Sequence, residues 1–136
     1  MTANQQTVVA EAVVDKIVAR ILALLNGEAI DTSARKVLML FSGASSGFVV
    51  GLESIRRLAG SGHPLTVVLS PSAGHIIGQD RVRQAGAGTI IGGGEWVNAP
   101  GLVRETDLVL VPTLSMNLAA HLALGLMDSL LTTLIL

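Results

Sequence analysis

DLVLVPTLSMNLAAHLALGLMD, residues 107–128, runs an aliphatic stretch into a proline, a small polar turn and an Ala/Leu-rich segment broken by Gly125. Leu108 to Val111 has the composition of a strand buried on both faces of a parallel sheet, and Pro112, which cannot donate to a ladder, is expected to end it. Ser115 or Asn117 can then cap a helix. Such a turn presents backbone N–H groups and two polar side chains beyond the carboxyl end of a strand, where open α/β sheets hold their ligands.

The same arrangement occurs upstream. Val37-Leu38-Met39-Leu40-Phe41 leads through Ser42-Gly43-Ala44-Ser45-Ser46-Gly47 into the apolar-periodic segment Phe48 to Leu58. Gly43 allows a sharp turn, Ser45 and Ser46 add hydroxyl donors, and the helix start offers unpaired N–H groups to an anion, with phosphate as the natural guest. The alternative is a tight βα connection with no ligand. No Lys-Ser or Lys-Thr follows the turn, so it is not a nucleotide P-loop, and Gly43, Gly47 and Gly51 do not have the dinucleotide spacing. Glycines four apart instead suit a helix packed closely on a sheet.

These patterns predict strands at 36–41, 65–69, 89–91 and 107–111, with helices at 47–60, 73–85 and 115–135. The order is that of an α/β protein: a Rossmann-like or flavodoxin-like three-layer sandwich with a parallel sheet. Half of the 136 residues are hydrophobic but only 2% are aromatic, and 15 are glycine, which suits small-residue packing of helices on such a sheet.

The two turns, with Val67-Val68-Leu69-Ser70-Pro71-Ser72-Ala73 between them, resemble the flavoprotein superfamily of phosphopantothenoylcysteine decarboxylase, the lantibiotic cysteine decarboxylases and the flavin prenyltransferases. That superfamily carries a Gly-Ser or Gly-Ala-Ser turn after its first strand and a second strand ending in Ser or Thr. It also carries a Pro-x-Ser-x-Asn motif before a helix of the form A-x-G-x-x-D-x-L-L. Here these are Ser42 to Ser45, Ser70, Pro112 to Asn117, and Ala123 to Leu131, so the resemblance spans residues 36–136. It implies FMN as cofactor, with Gly43, Ala44, Ser45 and Ser70 at the phosphate and Thr113, Leu114, Ser115, Met116 and Asn117 along the isoalloxazine ring. Without it, Ser70 reads as the polar end of a strand opening a Ser-Pro turn.

Three departures stand beside the resemblance. The Pro112 to Asn117 spacing is one residue longer than in the decarboxylases. Asn98-Ala99-Pro100-Gly101-Leu102 occupies the place of their catalytic histidine. The sequence ends at Leu136, where members of the superfamily continue, so a minimal form and a C-terminally shortened one are both open.

Of the three histidines, His63 reads as a solvated loop residue and His75 lies near the expected crevice. His121 and Asp128, seven apart, share a face of the expected last helix as a buried or interface polar pair. With no cysteine and no close His/Asp/Glu cluster, neither a metal site nor a thiol nucleophile is expected. Trp96, the one tryptophan, follows the flexible-looking Gly92-Gly93-Gly94 run and is expected to anchor that loop, the alternative being to cover a flavin.

Residues 1–27 read as an appendage joined to the 36–136 domain by a polar linker at 28–35. Val9, Val13, Ile17, Ile21 and Leu24 line one helical stripe, widened by Val14, Val18, Leu22 and Leu25, and Asn26-Gly27 ends it. The segment resembles the encapsulation peptides that direct cargo into bacterial microcompartments, and Pro-x-Leu-Ser-x-Asn followed by Ala-Leu-Gly resembles the flavoproteins encoded with them. The alternative is an oligomer-forming or core-capping helix. The apolar positions are periodic and interrupted by Asp15, Lys16 and Arg20, which fall off the stripe, and no cleavage-like site follows, so the segment does not read as a signal peptide.

A net charge of −1 without a basic stripe argues against nucleic acid, and His121, Gly125 and Asp128 argue against a membrane span in 118–136. The absence of cysteine suits a cytoplasmic protein. The resemblance implies a homo-oligomer, a trimer or multiple of trimers, with flavin at the subunit interface. Three functions follow as expectations. The first is an FMN-binding redox or electron-transfer protein, carried as microcompartment cargo and touching shell proteins through the N-terminal helix. The second is a flavin-dependent decarboxylase or prenyltransferase-like enzyme, and the third a cofactor-free structural subunit.

Overall fold

The structure, a computed structural model, describes residues 3–26 and 33–136. The expected helix stop at Gly27 and most of the expected linker at 28–35 lie outside the described residues. Four strands, β1 (Val37–Phe41), β2 (Leu65–Leu69), β3 (Thr89–Ile91) and β4 (Leu108–Thr113), form one parallel sheet in the order β3-β2-β1-β4. The chain steps outward from β1 to β3 and then returns to the other side of β1. That reversal is the topological switch point of an open α/β sheet, and it opens a crevice between the carboxyl ends of β1 and β4.

Alternation within the strands builds two cores. Val37, Met39 and Phe41 of β1, with Leu65, Val67 and Leu69 of β2, pack with Leu52, Ile55 and Leu58 of helix α2 (Phe48–Gly60). Helices α3 (Pro71–Ile76) and α4 (Gln79–Ala85) complete that layer through Ala73, Val82 and Ala85. Leu38, Leu40 and Val68 face the opposite way, toward helices α5 (Ala99–Arg104), α6 (Met116–Ala123) and α7 (Leu130–Ile135). A three-layer sandwich with a central parallel sheet results, as the spacing predicts.

Helix α1 (Ala3–Asn26) lies on the α2 side. Val14, Val18, Ile21 and Leu25 are its buried residues, and Ile21 and Leu25 belong to the same core as Phe41. The inward face therefore joins Val14, Val18 and Leu25 from the widening to Ile21 from the stripe itself, and Val9, Val13, Ile17 and Leu24 stay exposed on the other. Arg57 joins the layers by bonding both Asp15 of α1 and, at 2.9 Å, Glu53 one turn back on α2. The Arg57 hydrogen bond holds the Glu53 carboxyl below its ordinary range.

Several boundaries differ from the sequence pattern for physical reasons. The expected helix 73–85 is two helices, because Gly78 takes a φ of 80° between them. The expected helix 115–135 is likewise two: Gly125 takes a φ of 68°, and Ser129 opens α7 with a capping box to Thr132. Helix α5 is an addition to the expected elements; Asn98 caps it by accepting from Gly101 N–H, with Pro100 in its first turn. Strand β4 is the sheet edge and only half-buried over Leu108 to Val111, so it is not covered on both faces. Pro112 sits inside it at a register shift, which an edge tolerates because the missing N–H leaves no partner unpaired.

The carboxyl ends of β1 and β4 are tied by side chains. Ser42 N–H donates to Thr113 Oγ1 at 3.0 Å, Thr113 Oγ1–H donates to the Ser42 carbonyl at 3.1 Å, and Ser42 Oγ–H donates to the Thr113 carbonyl. The Ser42 Oγ also accepts from Ser115 N–H at 2.8 Å. Both side chains are buried, and this clamp fixes where the two turns begin.

Two substitutions test this frame. A Cβ on Gly51 would lie 2.5 Å from the Phe41 ring and 3.1 Å from Pro112 Cβ, so Gly51→Ala should cost about 1–3 kcal/mol in urea unfolding instead of the gain expected for a helix interior. Ser42→Ala strands the Ser115 N–H, and should lower unfolding free energy by about 1–3 kcal/mol with the secondary structure unchanged by circular dichroism.

Candidate functional site

A cavity of about 720 Å3 opens at the carboxyl edge of the sheet. Each strand sends its following turn to it: Ser42 and Gly43 after β1, Ser70 to Ser72 after β2, Gly93 after β3, and Ser115 and Asn117 after β4. The far wall is Leu118 and His121 of α6, Asp128 and Ser129 of the next turn, and the first residues of α7. The volume lies within the range of about 300–1,000 Å3 typical of cofactor sites.

The turns after β1 and β2 meet closely. A Cβ at Gly43 would stand 2.7 Å from Ser72 Cβ, so only glycine permits this approach. Ser70 caps α3, its Oγ accepting from Ala73 N–H at 3.1 Å, while Ser72 is exposed on the cavity side. Ser115 caps α6 by accepting from Leu118 N–H at 3.1 Å, which settles the choice between Ser115 and Asn117. Asn117 is left to face the cavity. Gly93 packs against Pro71, where a Cβ would come within 2.4 Å of Pro71 Cδ, so the glycine run serves close packing at this point.

Of the residues singled out from sequence, Gly43, Ser70, Ser115 and Asn117 line the cavity. Ala44, Ser45, Leu114 and Met116 lie outside its lining, with Leu114 and Met116 exposed, and Thr113 is fully buried with its hydroxyl spent on Ser42. Sequence patterns missed Ser72, Gly93 and the Ser129 to Thr132 wall. The capping-box spacing of Ser129 and Thr132 after Gly125 was the available signal.

The histidines are placed differently from the sequence pattern. His63 is buried, not solvated, because its Nδ1 accepts from Arg35 N–H at 3.1 Å. His75 is exposed and lies outside the cavity lining. His121 and Asp128 sit on a helix and the turn after it, not on one helix, and His121 Nδ1 lies 2.8 Å from Asp128 Oδ1. Trp96 is 90% exposed, so it neither anchors its loop nor covers the cavity in this chain. Among the described residues no His/Asp/Glu group could hold a metal ion, and no helix is long and apolar enough to cross a membrane.

Comparison with known proteins bears on this geometry. HAL3 from Cryptococcus neoformans is similar in structure, with a TM-score of 0.61 at 24% identity over 75% of this chain and 63% of that one. The FMN binding protein AtHal3 gives a TM-score of 0.58 at 19% identity over 76% of this chain and 59% of that one. At these identities the likeness is one of fold, and the chain spans less than two thirds of either structure. A search of curated proteins finds no match. The model of the Flavoprotein family matches residues 28–136, the whole sheet and every helix but α1, and the chain therefore belongs to that family.

Proposed function

We propose that this chain binds FMN in the cavity and serves a redox or electron-transfer role, the cofactor carrying the chemistry and the protein tuning it. The observation that carries the reading is the convergence of four strand-end turns on one cavity, with Ser70, Ser72 and Ser115 among its lining residues and the buried Ser42 hydroxyl fixing the turn beside them. Gly43, Ala44, Ser45 and Ser70 are the proposed phosphate residues, with Ser72 added because it approaches Gly43 at the cavity. Thr113 to Asn117 are proposed along the flavin ring, Thr113 acting by fixing the strand end. AtHal3, alike in fold, is an FMN binding protein, which supports the same ligand class here. FMN would bring hydride and single-electron chemistry, and this chain's residues would hold its phosphate, flank its ring with Leu118, Leu130 and Leu131, and limit water.

A homo-oligomer, a trimer or multiple of it, is part of the proposal. Leu114, Met116, Leu124, Leu126 and Met127 are exposed around α6 and the turn after it, and a subunit contact there would cover them beside the cavity. Helix α1 is proposed as a separate element at residues 1–27, before a linker at 28–35, that carries the protein into a bacterial microcompartment. Support comes from its position outside the family match and from the row Val8, Val9, Val13, Ile17 and Leu24, which its packing on α2 leaves exposed to a shell protein. A second reading, a flavin-dependent enzyme, is favoured by the His121–Asp128 pair in the cavity wall.

The purified chain should show a flavin absorption spectrum or acquire one on adding FMN. Ser72→Glu, which puts a carboxylate where the phosphate would sit, should reduce FMN retention by an order of magnitude or more, a loss of about 1.4 kcal/mol per tenfold. A colourless chain that takes up no FMN would refute the cofactor. For α1, residues 1–30 fused to a fluorescent protein should form foci with co-expressed shell proteins, and diffuse fluorescence would refute targeting.

A further inference from the structure

We infer that His121 is a proton acceptor and donor for a small molecule bound in the cavity, and that Asp128 is the positioning residue that fixes its ring. The inference rests on the cavity being the cofactor site. His121 and Asp128 are the titratable side chains among the described residues of the lining, on the wall supplied by α6 and the turn after it. The hydroxyl-rich turns after β1 and β2 supply the opposite chemistry.

The tautomer follows from the donor inventory. An ionised carboxylate only accepts, so at 2.8 Å from Asp128 Oδ1 the His121 Nδ1 must carry a hydrogen. In the neutral ring the lone pair then belongs to Nε2, the nitrogen left for a ligand. Charge argues against the pair as a phosphate holder. With the ring protonated the pair sums to zero, and with it neutral the Asp128 carboxylate repels an anion. The pair is not needed to make the turn either, since backbone bonds close it: Gly125 N–H donates to the Leu122 carbonyl at 3.1 Å and Leu126 N–H to the His121 carbonyl at 2.9 Å. What the side chains add is an oriented imidazole, 28% exposed, at the cavity wall.

The ligand class is a small molecule with an acidic O–H or S–H. In the step, that bond breaks, its electron pair stays on oxygen or sulfur, and an Nε2–H bond forms. The Asp128 carboxylate stabilises the resulting imidazolium, and the proton returns when product forms. Asn117, one turn before His121 and on the same cavity, is placed to hold the ligand's polar end.

Nitrogen-15 NMR of the full chain, free and with FMN as the probe, tests this. The His121 signals, identified by their loss in His121→Gln, should show the Nδ1–H tautomer, and Asp128→Ala, which removes the acceptor, should abolish that preference while far-ultraviolet circular dichroism stays unchanged. FMN should shift the His121 ring signals and leave those of His63 in place. An Nε2–H tautomer in the unmodified chain overturns the inference, as do His121 signals that stay fixed while visible absorption reports FMN bound. Failure to bind FMN at all defeats the cofactor reading and, with it, the inference, an outcome that the absorption spectrum separates from the other two.

Discussion

The site depends on the paired hydrogen bonds between Ser42 and Thr113. Strands β1 and β4 are neighbours in the sheet but 71 residues apart in sequence, and their ladder is interrupted by a register shift before the end. Without a tie beyond that shift, the two turns that define the crevice would have no fixed distance. Buried hydroxyls supply the tie at little entropic cost, because serine and threonine have few rotamers to lose and every bond forms in a water-free place. The Ser115 N–H joins the same hydroxyl, so the start of α6 is set by the end of β1.

From that point the architecture follows small-residue logic. Gly51 lets α2 lie against the Phe41 ring, Gly47 at a φ of 88° turns the chain into α2 beneath the Pro112 carbonyl, and Gly43 lets the second turn close on the first. A chain with so few aromatic residues fills its core by bringing backbone close to backbone, where other proteins use large rings. The same closeness leaves room at the carboxyl edge, because turns built largely of glycine and serine do not fill the space above the strands.

The sheet and both main turns were legible because their signals are local. Continuous aliphatic and β-branched runs mark β1 and β2, and glycine and serine at the strand ends mark the turns. What could not be read is what depends on neighbours distant in sequence. Whether β4 is central or at an edge is decided by strand order, which Leu108 to Val111 do not encode. His63 looked solvated between glycine and proline, yet Arg35, 28 residues away, donates to its ring. On α1 two apolar rows are equally visible, and only the position of α2 chooses Val14, Val18, Ile21 and Leu25 over Val9, Val13 and Ile17. Of the proposed phosphate and ring residues, Gly43, Ser70, Ser115 and Asn117 reach the cavity lining, and Ala44, Ser45, Thr113, Leu114 and Met116 do not. The wall contributed by Asp128 and Ser129 escaped because a continuous helical pattern hid the break at Gly125.

Trp96 has an optical consequence. The chain has one tryptophan and no tyrosine, so its near-ultraviolet emission comes from a single indole, and that indole already lies in water at 90% exposure in the folded state. Its emission maximum will therefore change little when the protein unfolds, which makes it a poor gauge of folding. It is a good gauge of coverage, for Gly93, three residues before it, belongs to the cavity wall. A blue shift or quenching would signal that another molecule has come to lie over that loop.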